Sequence, residues 1–201
     1  MRQLGFWFDY SSPFTYLAST QVAHLAHQTE ALLVYQPFFL GGLFKSIGTP
    51  MVPIESYPEA KRRYYEADMR RWADRLGVRF RWPSRFPLNT IPALRLTFLA
   101  GDATSLLVDR LFELCWVEDQ DPSDPAVLEA VVDELGLDAH LLERIKDPET
   151  KAALKDATDE AVRLGVCGAP TFEVDGRLFW GQDRPPFVRA ALEGWWPEVE
   201  R

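Results

Sequence analysis

An α/β fold is predicted, opened by a β-α-β unit, closed by a β-β-α unit and interrupted by a large all-helical insertion. Three patterns predict it. Near the N-terminus, Leu4, Phe6, Phe8 and Tyr10 alternate with Gly5, Trp7 and Asp9, the period of a strand. Trp7 on the second face implies that both faces are covered. Near the C-terminus, Thr171-Phe172-Glu173-Val174 and Arg177-Leu178-Phe179-Trp180 flank Asp175-Gly176, a type I′ hairpin signal. From residue 90 to 164 the pattern is helical almost throughout.

Each element has its own signal. Ser12 before Pro13 starts the first helix: the serine side chain caps backbone N–H groups, and proline fits the first helical position. Tyr16, Leu17, Thr20 and Leu25 then carry a helix over 14–29. Residues 31–40 read as a buried strand with Pro37 near its end, and strand, helix and strand in succession imply a parallel pair. Residues 41–58, with Gly41, Gly42, Gly48, Pro50, Pro53 and Pro58, read as a long loop of the functional or mobile kind. A helix over 59–76 presents Tyr64, Met69, Trp72 and Leu76 to a core and stops at Gly77. An extended link with two prolines covers 78–87. Helices are expected at about 90–100, 103–117, 124–135, 138–145 and 149–164, with Asp102, Ser123, Asp124, Asp138 and Asp147 as caps. The last helix covers 185–194. The domain boundaries that follow are 1–42 with 166–201 for the α/β part, and 43–165 for the inserted helical part.

Composition narrows the function. The 201 residues are 47% hydrophobic, enough for one sizeable core, and no apolar run approaches the ~20 residues of a membrane span. Met1-Arg2-Gln3 lead straight into the first strand, which leaves no room for a signal peptide, so a cytoplasmic protein is expected. A net charge of −8 argues against nucleic acid or anionic membrane as partners. The charge is uneven: residues 61–85 carry a local +6 against −14 for the rest. Such a run is either a solvated helix face or a rim that attracts a small anion. The two cysteines, Cys115 and Cys167, are far apart, which excludes C-x-x-C chemistry and cysteine-rich zinc sites. Cys115 sits in an apolar helix as a packing residue, while Cys167 lies close to the site developed below.

A strand that runs into a helix N-terminus sets the Ser12 hydroxyl among N–H dipoles that favour negative charge. By itself this is a cap. However, Ser12-Pro13-Phe14-Thr15 has the shape of the Cys-Pro-x-Cys that follows the first strand in thioredoxin-like disulfide oxidoreductases, with hydroxyls for both thiols. Gly168-Ala169-Pro170-Thr171 resembles the segment that carries that fold's cis-proline.

The chain resembles, over nearly its full length, the family of kappa-class glutathione transferases and 2-hydroxychromene-2-carboxylate isomerases. The resemblance rests on residues 8–18, Lys61 with Tyr64, Asp68 and Arg71-Trp72-Ala73, Asn89 with Ala93 and Arg95, Gly168-Ala169-Pro170-Thr171, and Gly181-Gln182-Asp183-Arg184. It implies a thioredoxin-like domain split by a helical insertion, glutathione as cofactor, and a homodimer. It implies that Ser12 faces the glutathione sulfur, with Ser11 as a neighbouring competitor. It implies that Ala169, before Pro170, pairs through its backbone with the cysteinyl part. Asp183 and Arg184 would hold the γ-glutamyl end and Lys61 the glycyl end. Thr49 stands where the family has a loop asparagine. A carboxylate-bearing aromatic substrate needs a cation and apolar walls, for which Arg95, Asn89, Lys45, Phe44 and Trp72 are the candidates. Lys61–Ala73, Asn89 and Arg95 resemble the isomerase branch, so the expected activity is glutathione-dependent isomerisation of 2-hydroxychromene-2-carboxylate to trans-o-hydroxybenzylidenepyruvate. The alternatives are a kappa-type transferase and a non-catalytic ligand-binding relative. Dithiol exchange is excluded by the absence of cysteine at 12 and 15.

Overall fold

The computed structural model describes residues 1–197, so the last four residues of the 166–201 segment lie outside it. Four strands form one sheet in the order β2-β1-β3-β4, from β1 (Gln3–Phe8), β2 (Leu32–Pro37), β3 (Thr171–Val174) and β4 (Arg177–Trp180). β1 and β2 are parallel, as the opening β-α-β pattern requires, and β3 is antiparallel to both β1 and β4. In the hairpin turn Asp175 and Gly176 have φ of 50° and 77°, as a type I′ turn demands.

β1 is buried on both faces. Leu4, Phe6 and Phe8 enter the main core with α1 (Pro13–Gln28), α5 (Thr104–Trp116) and α6 (Pro125–Glu134). Trp7 enters a second, smaller cluster with Phe38, Leu43, Ala161 and Val166, contributed in part by α2 (Leu40–Ile47) and α8 (Pro148–Leu164). Each fully buried ring contributes roughly 1.5–3 kcal/mol, so this strand anchors both layers. Between β2 and β3 the remaining helices are α3 (Glu59–Leu76), α4 (Ile91–Thr97) and α7 (Leu141–Arg144). The chain closes with α9 (Pro185–Leu192). The main core is continuous from the sheet into this helical stretch: Trp116 donates from Nε1 to the Tyr10 carbonyl at 2.8 Å, and Tyr10 shares a 2.7 Å hydrogen bond with Thr97.

The 41–58 segment departs from expectation. It is not a loop throughout: Leu40–Ile47 is helix α2, and Pro53–Ser56 is a short 3-10 turn. Gly41 and Gly42 are there for space, while Gly48 ends α2 in the left-handed conformation at φ 73°. A Cβ on Gly41 would lie 2.7 Å from the Phe39 ring and 2.8 Å from the Met51 sulfur. Leu40 and Leu43, one turn apart, supply the buried face. Smaller corrections follow. The second strand ends at Pro37 rather than residue 40. Asp102 lies inside a 3-10 turn, Gly101–Ala103, and caps nothing there, whereas Asp124 accepts from the Ala126 N–H at 2.9 Å as a helix cap. α7 is a single turn.

Candidate active site

A cleft of about 440 Å³ opens at the N-terminus of α1. Four stretches distant in sequence meet there: Ser11 to Phe14, the segment from Leu40 through Tyr57, the 82–87 link, and residues 168–184. Tyr65 and Met69 of α3 complete it. The size is ordinary for a small-molecule site.

Ser12 is the N-cap of α1. Its Oγ accepts the Thr15 N–H at 3.2 Å and donates to the Ala169 carbonyl at 2.9 Å. The serine of one motif is thus bonded directly to the backbone of the other. The Ala169–Pro170 peptide is cis, and the Gly181 N–H bonds the Pro170 carbonyl at 3.0 Å, which ties in the next motif. Gly168 is required by packing: a Cβ there would sit 2.6 Å from Nε1 of Trp180, whose indole forms a wall of the cleft. Ser11 also lines the cleft and its backbone N–H is bonded to Asp9, but Ser12 is the hydroxyl that donates to Ala169. Thr15 is fully buried and does not line the cleft; its hydroxyl has no partner among the described residues.

Asp9 is the buried post behind this arrangement. Its carboxylate accepts from the Ser11 N–H (2.9 Å), the Leu40 N–H (2.8 Å) and the Thr90 hydroxyl (2.6 Å). It therefore caps α2, whose own N-cap Phe39 has no side-chain bond to offer, and pins the chain just before Ser12. Burial pushes the Asp9 carboxyl above the usual range, while hydrogen bonds from Thr90, Ser11 and Leu40 oppose the shift.

The residues expected at the site divide into two groups. Ser12, Phe44, Ala169, Pro170, Asp183 and Arg184 all line the cleft, with Asp183 and Arg184 ion-paired at 3.3 Å. Lys61, Thr49, Asn89, Arg95, Lys45 and Trp72 do not. Lys61 stands just outside, its Nζ 3.6 Å over the ring of Tyr57, which does line the cleft. Thr49 follows the end of α2, its N–H bonded to the Phe44 carbonyl. Lys45 is exposed in the last turn of α2. Asn89 is exposed and its Oδ1 accepts only the Ile91 N–H, at 3.4 Å, which makes it a weak local cap. Arg95 is half-buried on α4 with its Nε unpartnered among the described residues. Trp72 packs on the main core. Cys167 is exposed, does not line the cleft, and has its thiol pushed up by partial burial; Cys115 is fully buried.

Sequence reasoning passed over much of the wall: Met51, Ile54, Tyr57, Tyr65, Trp82 and Phe86. One signal was available. Phe80, Trp82 and Phe86 crowd a proline-containing link that has no strand or helix period to bury them. They stack around Trp116, with centroids 5.9–6.5 Å away, and so hold the link against the core while Trp82 and Phe86 face the cleft.

Comparison with known proteins identifies the family and the fold. Residues 3–193 match the family described as DSBA-like thioredoxin domain. The chain belongs to that family. This DSBA-like domain is 29% identical over 198 residues to a 2-hydroxychromene-2-carboxylate isomerase of Sphingobium xenophagum, covering 95% of this chain and 98% of the relative. It is 25% identical to human glutathione S-transferase kappa 1, covering 97% and 92% of the two chains. In structure it is similar to a 2-hydroxychromene-2-carboxylate isomerase, with TM-score 0.84, 24% identity and 94% of each chain covered. It is also similar, at TM-score 0.67 and 19% identity, to the cytosolic disulfide reductase DsbM of Pseudomonas aeruginosa solved with GSH. The resemblance and the fold read from the sequence are both borne out. Among the described residues no single helix is long and apolar enough to cross a membrane.

Proposed function

We propose that this DSBA-like domain is a glutathione-dependent isomerase of the 2-hydroxychromene-2-carboxylate isomerase type, acting on a conjugated aromatic compound. The observation that carries the reading is the direct bond between Ser12 and Ala169 at a helix N-terminus. A free thiol has pKa ~8.5, so little is thiolate at neutral pH. A hydrogen bond to a charged group is worth roughly 1.5–3 kcal/mol, enough to lower the bound thiol's pKa by about 1–2 units. The N-terminus of the 16-residue α1 adds to that.

Ser12 has one proton, and without ligand it is given to the Ala169 carbonyl. Glutathione provides for its release. When the cysteinyl N–H of glutathione donates to that carbonyl, the Ser12 proton is free to turn to the sulfur. Asp183 takes the γ-glutamyl ammonium, with Arg184 beside it for the carboxylate, and Lys61 reaches the glycyl end from the rim over Tyr57. Thr49 fills the place of a loop asparagine. The thiolate then adds to the conjugated carbon, the former double bond rotates, and the thiolate leaves, so glutathione is not consumed. Serine at 12 and threonine at 15 cannot form a mixed or intramolecular disulfide, which separates this chain from its redox relatives. The reading includes a cytoplasmic homodimer.

The test follows interconversion of 2-hydroxychromene-2-carboxylate and its open-chain product by ultraviolet absorbance, with and without catalytic glutathione, for wild type and Ser12→Ala. Conversion that requires glutathione and is lost in the variant is expected. A second reading, kappa-type transfer, is favoured by the resemblance to human glutathione S-transferase kappa 1. Steady loss of total glutathione into a conjugate would establish it instead.

A further inference from the structure

This inference rests on the glutathione reading above and concerns the second substrate. We propose that the part of the cleft beyond Ser12 selects an uncharged aromatic electrophile, such as a conjugated aryl ketone, and discriminates against one bearing a carboxylate on the part that enters. The charged lining residues, Asp183 and Arg184, are adjacent in sequence. The rest of the lining is uncharged, and Phe14, Phe44, Ile54, Met69, Trp82 and Phe86 give it its apolar faces.

The cations that a ring carboxylate would need are elsewhere. Lys45 is exposed on α2, and Arg95 sits on α4 outside the cleft. Lys61 lies over Tyr57 and does not itself line the cleft, and it is read to serve the glycyl end of glutathione. Among the described residues that line the cleft, Arg184 is the one cation, and it is paired with Asp183, where glutathione's γ-glutamyl group is read to bind. A carboxylate pressed into the apolar wall gives up its water and gains no partner, whereas a ketone gives up little. Neutral donors for a ketone oxygen are present in the phenols of Tyr57 and Tyr65, which line the cleft with their ring centroids 5.2 Å apart.

The chemistry does not need the carboxylate. Thiolate attack at the β-carbon forms a C–S bond and moves the C=C pair onto the ketone oxygen as an enolate. Rotation follows about the new single bond. The enolate then re-forms C=C, and the C–S bond breaks with its pair returning to sulfur. Nothing is oxidised, reduced or consumed.

The test uses the full chain and two probes: 2-hydroxychromene-2-carboxylate, and 2-methyl-2H-chromen-2-ol, the same ring with methyl in place of the carboxylate. Glutathione alone is titrated first by calorimetry, then each ring compound into the glutathione-loaded protein. Glutathione is expected to bind, and the methyl compound to bind at least tenfold tighter than the acid, a difference of about 1.4 kcal/mol. Ile54→Arg, at a half-exposed turn of the wall, should improve binding of the acid at least tenfold. Equal or tighter binding of the acid by wild type, or no gain in Ile54→Arg, overturns the inference and leaves the glutathione reading standing. No binding of glutathione overturns the reading itself, and this inference with it.

Discussion

The polar and apolar parts of the cleft lining were assembled in different ways. The polar part is built from contiguous motifs, Ser12-Pro13, Ala169-Pro170 and Gly181 through Arg184, each placed by the turn or helix start that contains it. The apolar wall draws single residues from α1, α2, a 3-10 turn, α3 and an irregular link, and no short pattern announces it. Under the proposed function, what would bind glutathione is written locally, and what would select the second substrate emerges only when the chain closes on itself. Asp9 joins the two, since its carboxylate holds both the residue before Ser12 and the start of the α2 wall.

The most damaging change is expected at that joint. Asp9→Ala leaves the Ser11 and Leu40 N–H groups buried without partners, and should cost about 3 kcal/mol of stability or more, read from urea unfolding. An unchanged midpoint would show that the two parts are independent. Next, Asp183→Ala should weaken glutathione by about tenfold through loss of a charge-assisted hydrogen bond, and leave the affinity for a neutral ring compound within twofold. Phe44→Ala should do the reverse, with the ring compound weakened by about 1 kcal/mol and glutathione unchanged, both read by calorimetry. If either variant moves both ligands equally, the division of the cleft fails.

The smallest effect concerns pH. Burial raises the Asp9 carboxyl in the folded chain above its value when unfolded. Ionised Asp9 therefore subtracts from stability at pH above its folded value. That penalty is relieved as pH falls through the folded value toward the ordinary ~3.9. Asp119 and Glu160 are lowered, and both lose stability over the acid range instead. The comparison is thus made between wild type and Asp9→Asn, which keeps an acceptor. Wild type should gain on the variant as pH drops across that window, and parallel curves would contradict the assignment.

The sequence made the sheet legible because β1 and the β3–β4 hairpin carry strict alternation and an Asp-Gly turn. It made Ser12, Ala169, Pro170, Asp183 and Arg184 legible because their roles are local, in a cap, a cis peptide and the start of a helix. Helix α2 was hidden because Gly41 and Gly42 break helices on average. Here they make room for Phe39, and for Met51 and Thr158, which come close only in the fold. Lys45, Asn89, Arg95 and Trp72 group by their chemistry, yet none of them lines the cleft: Lys45, Arg95 and Trp72 lie on helices α2, α4 and α3, and Asn89 lies in the link before α4. Asp9 looked like one more residue of an alternating strand, and nothing near it in sequence disclosed the partners Leu40 and Thr90.

The central claim is that Ser12 holds a glutathione thiolate, and the most direct measurement is the pKa of the bound thiol. Thiolate absorbance near 240 nm, titrated with pH in the protein–glutathione complex, reads it for wild type and Ser12→Ala. A value below the ~8.5 of a free thiol is expected in wild type, rising by about 1–2 units in the variant. Identical titration curves for the two proteins would contradict it.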